Sequence, residues 1–152
     1  MRKLVGAGGL WQVINERFDE TVVKQKTSLS CVSAVGEMLL KSRGIQISQD
    51  LICDRIGEPT TVKSLANFLN EIEKTSDWYG GFVTANVETL ADTGNFGAVL
   101  HEGTPLGHLV LVEGLTERNL IEIKDSFDQT SYRMSREEFL KHWSGEVIFK
   151  WK

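Results

Sequence analysis

The sequence lacks most of the features that would take it out of the ordinary globular classes. It has two cysteines in 152 residues, Cys31 and Cys53. That is too few for a disulfide-dense mini-protein; one disulfide is arithmetically possible, and a reduced cytosolic chain is the expectation. No apolar run approaches the ~18 residues of a membrane helix, so no membrane insertion is expected. Cations are not in excess: 17 Lys and Arg stand against 21 Asp and Glu, for a formal charge of −4. Non-specific nucleic-acid binding relies on clustered cations that displace counterions from phosphate, so nucleic acid is not an expected partner. Met1–Val5 holds a charge pair with no apolar stretch behind it, and Gly6–Gly9 follows, so no signal peptide is read. Repeats, low-complexity tracts and the CxxC or HxxxH spacings of metal sites are all missing. The rest is 41% hydrophobic and 25% charged, the mix of one globular domain rather than of a disordered or collagen-like chain.

Residues 1–21 read as a linker or boundary segment. Gly6–Gly9 is a flexible run, and Leu10–Ile14 forms a short strand or turn, a joint rather than core. From Cys31 onward Val32, Val35, Met38, Leu39 and Leu40 fall at helical spacing, with Gly44 as the stop. A second helix opens on Ser48 as N-cap, places Leu51, Ile52 and Ile56 inside and closes at Gly57. A third covers Thr61–Lys74, with Val62, Leu65, Phe68, Leu69 and Ile72 as its apolar stripe. After residue 80 the period shifts toward two. Gly81–Thr84, Phe96–Leu100, His108–Val112 and Asn119–Ile123 read as strands, with a hairpin turn at Glu117–Asn119. Gly103, Pro105 and Gly107 mark a loop before His108. Ser135–Glu138 has a capping-box pattern opening a helix that carries Phe139, Leu140 and Trp143, with Gly145 as its stop. Val147–Trp151 reads as a closing strand. Helices first and strands after predict an α+β fold with an antiparallel sheet.

Four residues could carry chemistry together. Cys31 opens a helix, where the positive end of the dipole favours the thiolate. The plain alternative is a buried, inert thiol, the reading given to Cys53 beside Ile52. His108 starts an apolar strand directly after Gly107, whose small size leaves one side of the imidazole open, and His suits acid–base work near neutral pH. His101 and His142 are its competitors. Asp125 ends the next strand, 17 residues on, where a hairpin would set it beside His108 to fix the ring's tautomer. Asp128 is the substitute, more readily read as a solvated turn residue. Gln25 lies six residues before Cys31, and its amide could join the Cys31 N–H in holding an oxyanion. Each signal has a bland explanation by itself. The succession Gln, Cys at a helix start, His at a strand start and Asp at the next strand end is much harder to reach by chance.

That succession resembles the papain-like cysteine peptidases. It is most similar to the peptidase domains of ABC exporters that trim bacteriocin leaders, through the segments Gln25–Cys31, Gly107–Gly114 and Leu120–Ser126. Over residues 22–152 the resemblance implies a papain-like cysteine peptidase fold, with N-terminal helices packed on an antiparallel β-sheet. It departs where Val32 follows Cys31, since the exporter peptidases usually carry glycine there. The chain is also similar to the papain-fold cargo domains of bacterial polymorphic toxins. That likeness implies an effector cut from a large secreted carrier, a cytoplasmic site of action inside a neighbouring cell, and a cognate immunity protein in the producer.

The expected activity is amide hydrolysis through a thioester. Cys31 is the nucleophile, His108 the acid and base, Asp125 the orienting group and Gln25 an oxyanion donor. The substrate is a protein or peptide, and no metal or organic cofactor is required. Peptide-bond cleavage and glutamine deamidation would use the same groups. Two other classes remain: a catalytically silent module that binds a peptide or protein in the same groove, and a metal site built from Cys31, His108 and Asp125.

Overall fold

The computed structural model describes residues 2–3, 11–101 and 107–151. The glycine run at Gly6–Gly9 and the positions of Gly103 and Pro105 lie outside the described residues. Strands β1 (Arg2–Lys3) and β2 (Gln12–Phe18) come first, followed by helices α1 (Cys31–Lys41), α2 (Gln49–Ile56) and α3 (Val62–Glu73). Then come β3 (Trp78–Phe82), α4 (Val87–Ala91), β4 (Phe96–Leu100), β5 (His108–Leu115), β6 (Ile121–Asp125), β7 (Thr130–Met134), α5 (Arg136–His142) and β8 (Trp143–Lys150). The strands form one sheet in the order β1-β2-β7-β6-β5-β4-β8-β3. Every described pairing is antiparallel. This is the expected α+β arrangement, helices packed on an antiparallel sheet.

The helices begin and end where local chemistry directs. The Ser48 hydroxyl accepts from the Leu51 N–H and Thr61 from the Ser64 N–H, so α2 and α3 start on side-chain caps. Gly57 and Lys74 end them at positive φ. The two faces of the sheet bury separate cores. Val99, Leu109, Leu111 and Ile148 meet α1, α2 and α3 on one face. Val110, Val112, Ile121, Ile123, Tyr132 and Met134 meet Trp11, α4 and Phe139 of α5 on the other. Burial on both faces explains why Phe96–Leu100 and His108–Val112 are unbroken apolar runs rather than alternating ones.

Several local expectations are corrected. Trp11 and Val13 are core residues, and β2 pairs with β7, so residues 11–14 of the expected joint are core. Strand β7 is not among the expected strands: Thr130–Met134 is largely polar, although Tyr132 and Met134 alternate inward. Helix α4 has too few residues to display a period. Leu51, expected inside α2, is 48% exposed, and Leu140 of α5 is exposed as well. Helix α5 ends at His142, so Gly145 stops nothing; it lies within β8 at positive φ.

Candidate active site

The start of α1 and the facing ends of β5 and β6 meet at one place. The Ser30 hydroxyl accepts from the N–H groups of Lys26 and Thr27 and donates to the Thr27 carbonyl. It shapes the preceding loop instead of capping α1. The amides of the first helical turn therefore keep their donors, at the positive end of the dipole, beside the Cys31 thiol. Cys31 is half-buried, hydrogen-bonded to His108, and approached by the Leu109 N–H.

The β5–β6 hairpin does the rest. Its register pairs Leu111 with Lys124, so Asp125 falls on the same face as His108, one diagonal step away. His108 Nε2 lies 2.7 Å from Asp125 Oδ1. Nδ1 is then the ring nitrogen left for Cys31. Asp125 is wholly buried and takes two further donors: the Phe127 N–H at Oδ1 (3.0 Å) and the Tyr132 hydroxyl at Oδ2 (2.6 Å). Trp11 lies alongside the His108 ring, nearly parallel, and Phe127 meets it edge-on.

Electrostatics follow from these contacts. Burial pulls the His108 imidazolium down, but the Asp125 charge and hydrogen bond, with a smaller push from Cys31, raise it to about 10. Burial pushes the Cys31 thiol up, and the hydrogen bond and positive charge of His108 outweigh it, leaving the thiol below its ordinary range. A thiolate–imidazolium pair is the state this arrangement favours at neutral pH. Burial and the Asp125 charge hold Tyr132 far above its usual range, so its hydroxyl stays a donor.

Gln25 is buried beside this line. Its N–H donates to the Ser126 carbonyl, the Ser126 hydroxyl donates to Oε1 at 2.8 Å, and Nε2 donates to the Thr27 carbonyl at 2.9 Å. That geometry fixes which end of the amide carries nitrogen and leaves Nε2 a second hydrogen. A groove of about 290 Å³ runs past Cys31. Leu29, Val32, Pro59, Val62, Val99 and Leu109 give it apolar walls, and His101 and Glu146 lie at one part of its rim.

The structure thus brings Cys31, His108 and Asp125 together, with Gln25 tied to the loop that follows Asp125. Of the competitors, His101 lines the same groove as Cys31, beside Glu146, and the other two lie elsewhere. His142 faces the His101 carbonyl through Nδ1 and Glu138 through Nε2, and Asp128 is exposed. Cys53 corrects its own expectation: it is half-exposed rather than core. Its thiol donates to Glu58 Oε1 at 2.9 Å, and that bond, first among the causes, raises it to about 11. Gly107 is small for a different reason than leaving the imidazole open. A Cβ there would stand 2.3 Å from Val99 Cγ1 and 2.9 Å from His101 Cε1. Trp11, Tyr132, Phe127 and Ser126 were missed by sequence reasoning. The inward alternation of Trp11 with Val13, and of Tyr132 with Met134, was the available signal.

Among the described residues, no group of three or more His, Cys, Asp or Glu is placed to hold a metal ion, and no helix is long and apolar enough to cross a membrane.

Comparison with known proteins places this geometry in context. The pattern of the Peptidase C39 family matches residues 19–152. Cysteine protease effector 1 of Escherichia coli O1:K1:H7 is 37% identical over 147 residues, 95% of this chain but 30% of that protein. The chain therefore spans less than a third of that relative's length. Among solved structures, the peptidase domain of Streptococcus ComA, a bifunctional ABC transporter of a quorum-sensing pathway, superposes with a TM-score of 0.69. Its identity is 24%, covering 84% of this chain and 94% of that one. A double glycine motif protease from an AMS/PCAT transporter, solved with its leader peptide, gives a TM-score of 0.65 at 17% identity, covering 93% and 92%. At these identities the two structures speak to the fold.

Proposed function

Because the chain belongs to the Peptidase C39 family, and is on that ground a papain-like cysteine hydrolase, we propose that Cys31 is its nucleophile, His108 its acid and base, Asp125 the group that orients His108, and Gln25 an oxyanion donor. The observation that carries the assignment is the continuous hydrogen-bonded line from the Cys31 thiol through His108 to Asp125 at the foot of α1. The thiolate attacks an amide carbonyl laid in the groove, and a carbon–sulfur bond forms as the carbonyl π pair moves onto oxygen. The Cys31 N–H and the second hydrogen of Gln25 Nε2 stabilise that oxyanion. His108 gives its Nδ1 proton to the departing nitrogen as the carbon–nitrogen bond breaks. Water then adds to the thioester, losing a proton to His108, and the carbon–sulfur bond breaks to release the acid product and restore the Cys31 thiolate beside a protonated His108.

The substrate is a protein or peptide amide. An extended backbone fits a groove with apolar walls and one ionic rim. The biological setting we infer is that of an effector: a catalytic module within a larger protein, acting in the cytoplasm of a target cell. The effector name of the relative, and the small fraction of that relative's length the chain spans, support this setting. A producing cell would then need a partner able to occlude the groove.

The test uses the purified chain and its Cys31→Ala variant on bacterial cytosolic proteins, read by mass spectrometry. New chain termini identify a peptidase, and glutamine converted to glutamate in intact chains identifies a deamidase. Either activity should vanish in a Cys31→Ala protein of unchanged circular dichroism. Full activity in that variant overturns the assignment. For the setting, cytoplasmic expression should arrest bacterial growth only when Cys31 is present; equal growth with both forms refutes it.

A further inference from the structure

We propose that Trp11 and Tyr132 are positioning residues of the active site: the indole just before β2 and the phenol of β7 fix the Asp125 carboxylate, and through it the His108 ring. This inference rests on the assignment of Cys31, His108 and Asp125 made above.

The argument begins with what each group can donate. An indole N–H only donates, and a carboxylate only accepts. Trp11 Nε1 donates to the Tyr132 oxygen at 3.0 Å, so the tyrosine's own hydrogen cannot point toward Trp11. It points at Asp125 Oδ2, 2.6 Å away. The chain therefore has one direction, from Trp11 to Tyr132 to Asp125. His108 and the Phe127 N–H hold the other oxygen. Without the Tyr132 hydroxyl, Asp125 would be held through Oδ1 alone and free to turn about its last torsion.

Burial makes this matter. Trp11 and Asp125 are 0% exposed and Tyr132 is 1% exposed, so bulk water does not reach the site to replace a missing donor. Trp11 is itself anchored. The Gln12 N–H donates to Glu138 Oε2 at 2.9 Å, and Glu138 also faces His142 Nε2, whose ring lies against the indole. The indole then lies along His108, 18° from parallel, and shields that ring from solvent. Trp11 and all of β2 precede residue 19, where the family match begins, so this support enters the site from outside the matched stretch.

A tyrosine that merely filled the core would leave His108 titrating as before, and that is the distinction to measure. Iodoacetate is anionic and iodoacetamide neutral. Their relative rates of alkylating Cys31 in the full chain therefore report the positive charge on His108. The titratable groups facing His108 directly are Cys31 and Asp125, and Tyr132 acts through Asp125. As pH rises, the ratio should fall with a midpoint set by His108. In Tyr132→Phe that midpoint should move down by about half to one pH unit, the size of one lost hydrogen bond. Hydrolysis at neutral pH should lose about tenfold in kcat with KM within about twofold. Trp11→Phe should move the midpoint the same way by less, and Tyr79→Phe should not move it. An unmoved or raised midpoint in Tyr132→Phe overturns the proposal, even if the melting temperature falls. Should Tyr132→Phe fail to fold, the Trp11→Phe midpoint decides in the same manner. Loss of activity in Cys31→Ala beside an unmoved midpoint would sink only the positioning role. Activity retained in Cys31→Ala would sink the catalytic assignment itself.

Discussion

Replacing Asp125 by asparagine tests the electrostatics of the site with little change in shape. The amide keeps an oxygen for His108 Nε2 and the Phe127 N–H, and turns its NH₂ toward the Tyr132 oxygen. The buried Tyr132 hydroxyl hydrogen loses its acceptor, at about 1–3 kcal/mol, and the negative charge disappears. Two unit charges about 4 Å apart at an effective dielectric near 20 interact by about 4 kcal/mol. At about 1.4 kcal/mol per pH unit, that corresponds to roughly three units on the imidazolium. His108, raised to about 10 chiefly by Asp125 against the pull of burial, should then titrate near 7. Hydrolysis at pH 8 should fall about tenfold, while the rate at pH 6 should stay within about twofold, because His108 remains protonated there. Stability should change with the same window. A histidine raised above its unfolded value of 6.5 contributes stability that is whole below that value and is lost as pH rises through about 10. The wild-type advantage over Asp125→Asn in thermal melts should therefore be largest at neutral and acidic pH and shrink toward pH 10. An alkylation-ratio midpoint that stays near 10 in Asp125→Asn would show that Asp125 does not hold the imidazolium, and the thiolate–imidazolium account would fall.

The other predictions follow from single contacts. A short iodoacetamide pulse near neutral pH, read by peptide mapping, should label Cys31 well ahead of Cys53, whose bond to Glu58 raises it to about 11. Equal labelling would contradict the lowered Cys31 thiol. Gly107→Ala should lose about 1–3 kcal/mol in denaturant unfolding and depress activity, because the new methyl meets Val99 and displaces the residue next to His108. Wild-type stability and rate in that variant would show that β5 can shift without disturbing the site.

Much of the site was legible because it is tied to local signals. Cys31 lies at a helix start, His108 and Asp125 at the ends of one hairpin, and the turn at Glu117–Asn119 that joins their strands carries its own sequence signature; the register shift between Val112 and Gly114 that brings Asp125 to the face of His108 carries none that was read. Helices α1, α2 and α3 were readable from apolar spacing and from Ser48, Thr61 and Gly57. What escaped lies where polarity hides the period. Thr130–Met134 offers few apolar residues, yet Tyr132 is inside because its hydroxyl has Asp125 and Trp11 as partners. Strand β2 follows a glycine run in sequence, and nothing local says that its partner β7 lies more than a hundred residues away. Cys53 was misread because helical phase alone placed it; Leu51 and Cys53 flank Ile52, and only Ile52 is fully inside.

The pairing of the first described indole with a phenol 121 positions later also orders events in time. A growing chain that has not yet reached Tyr132 lacks the donor to Asp125, whatever has already formed around Cys31. Contacts of such sequence separation are the slow ones to close. Full competence of the thiol should therefore arrive as one of the last steps of maturation, so a half-made copy of this hydrolase is a dull blade.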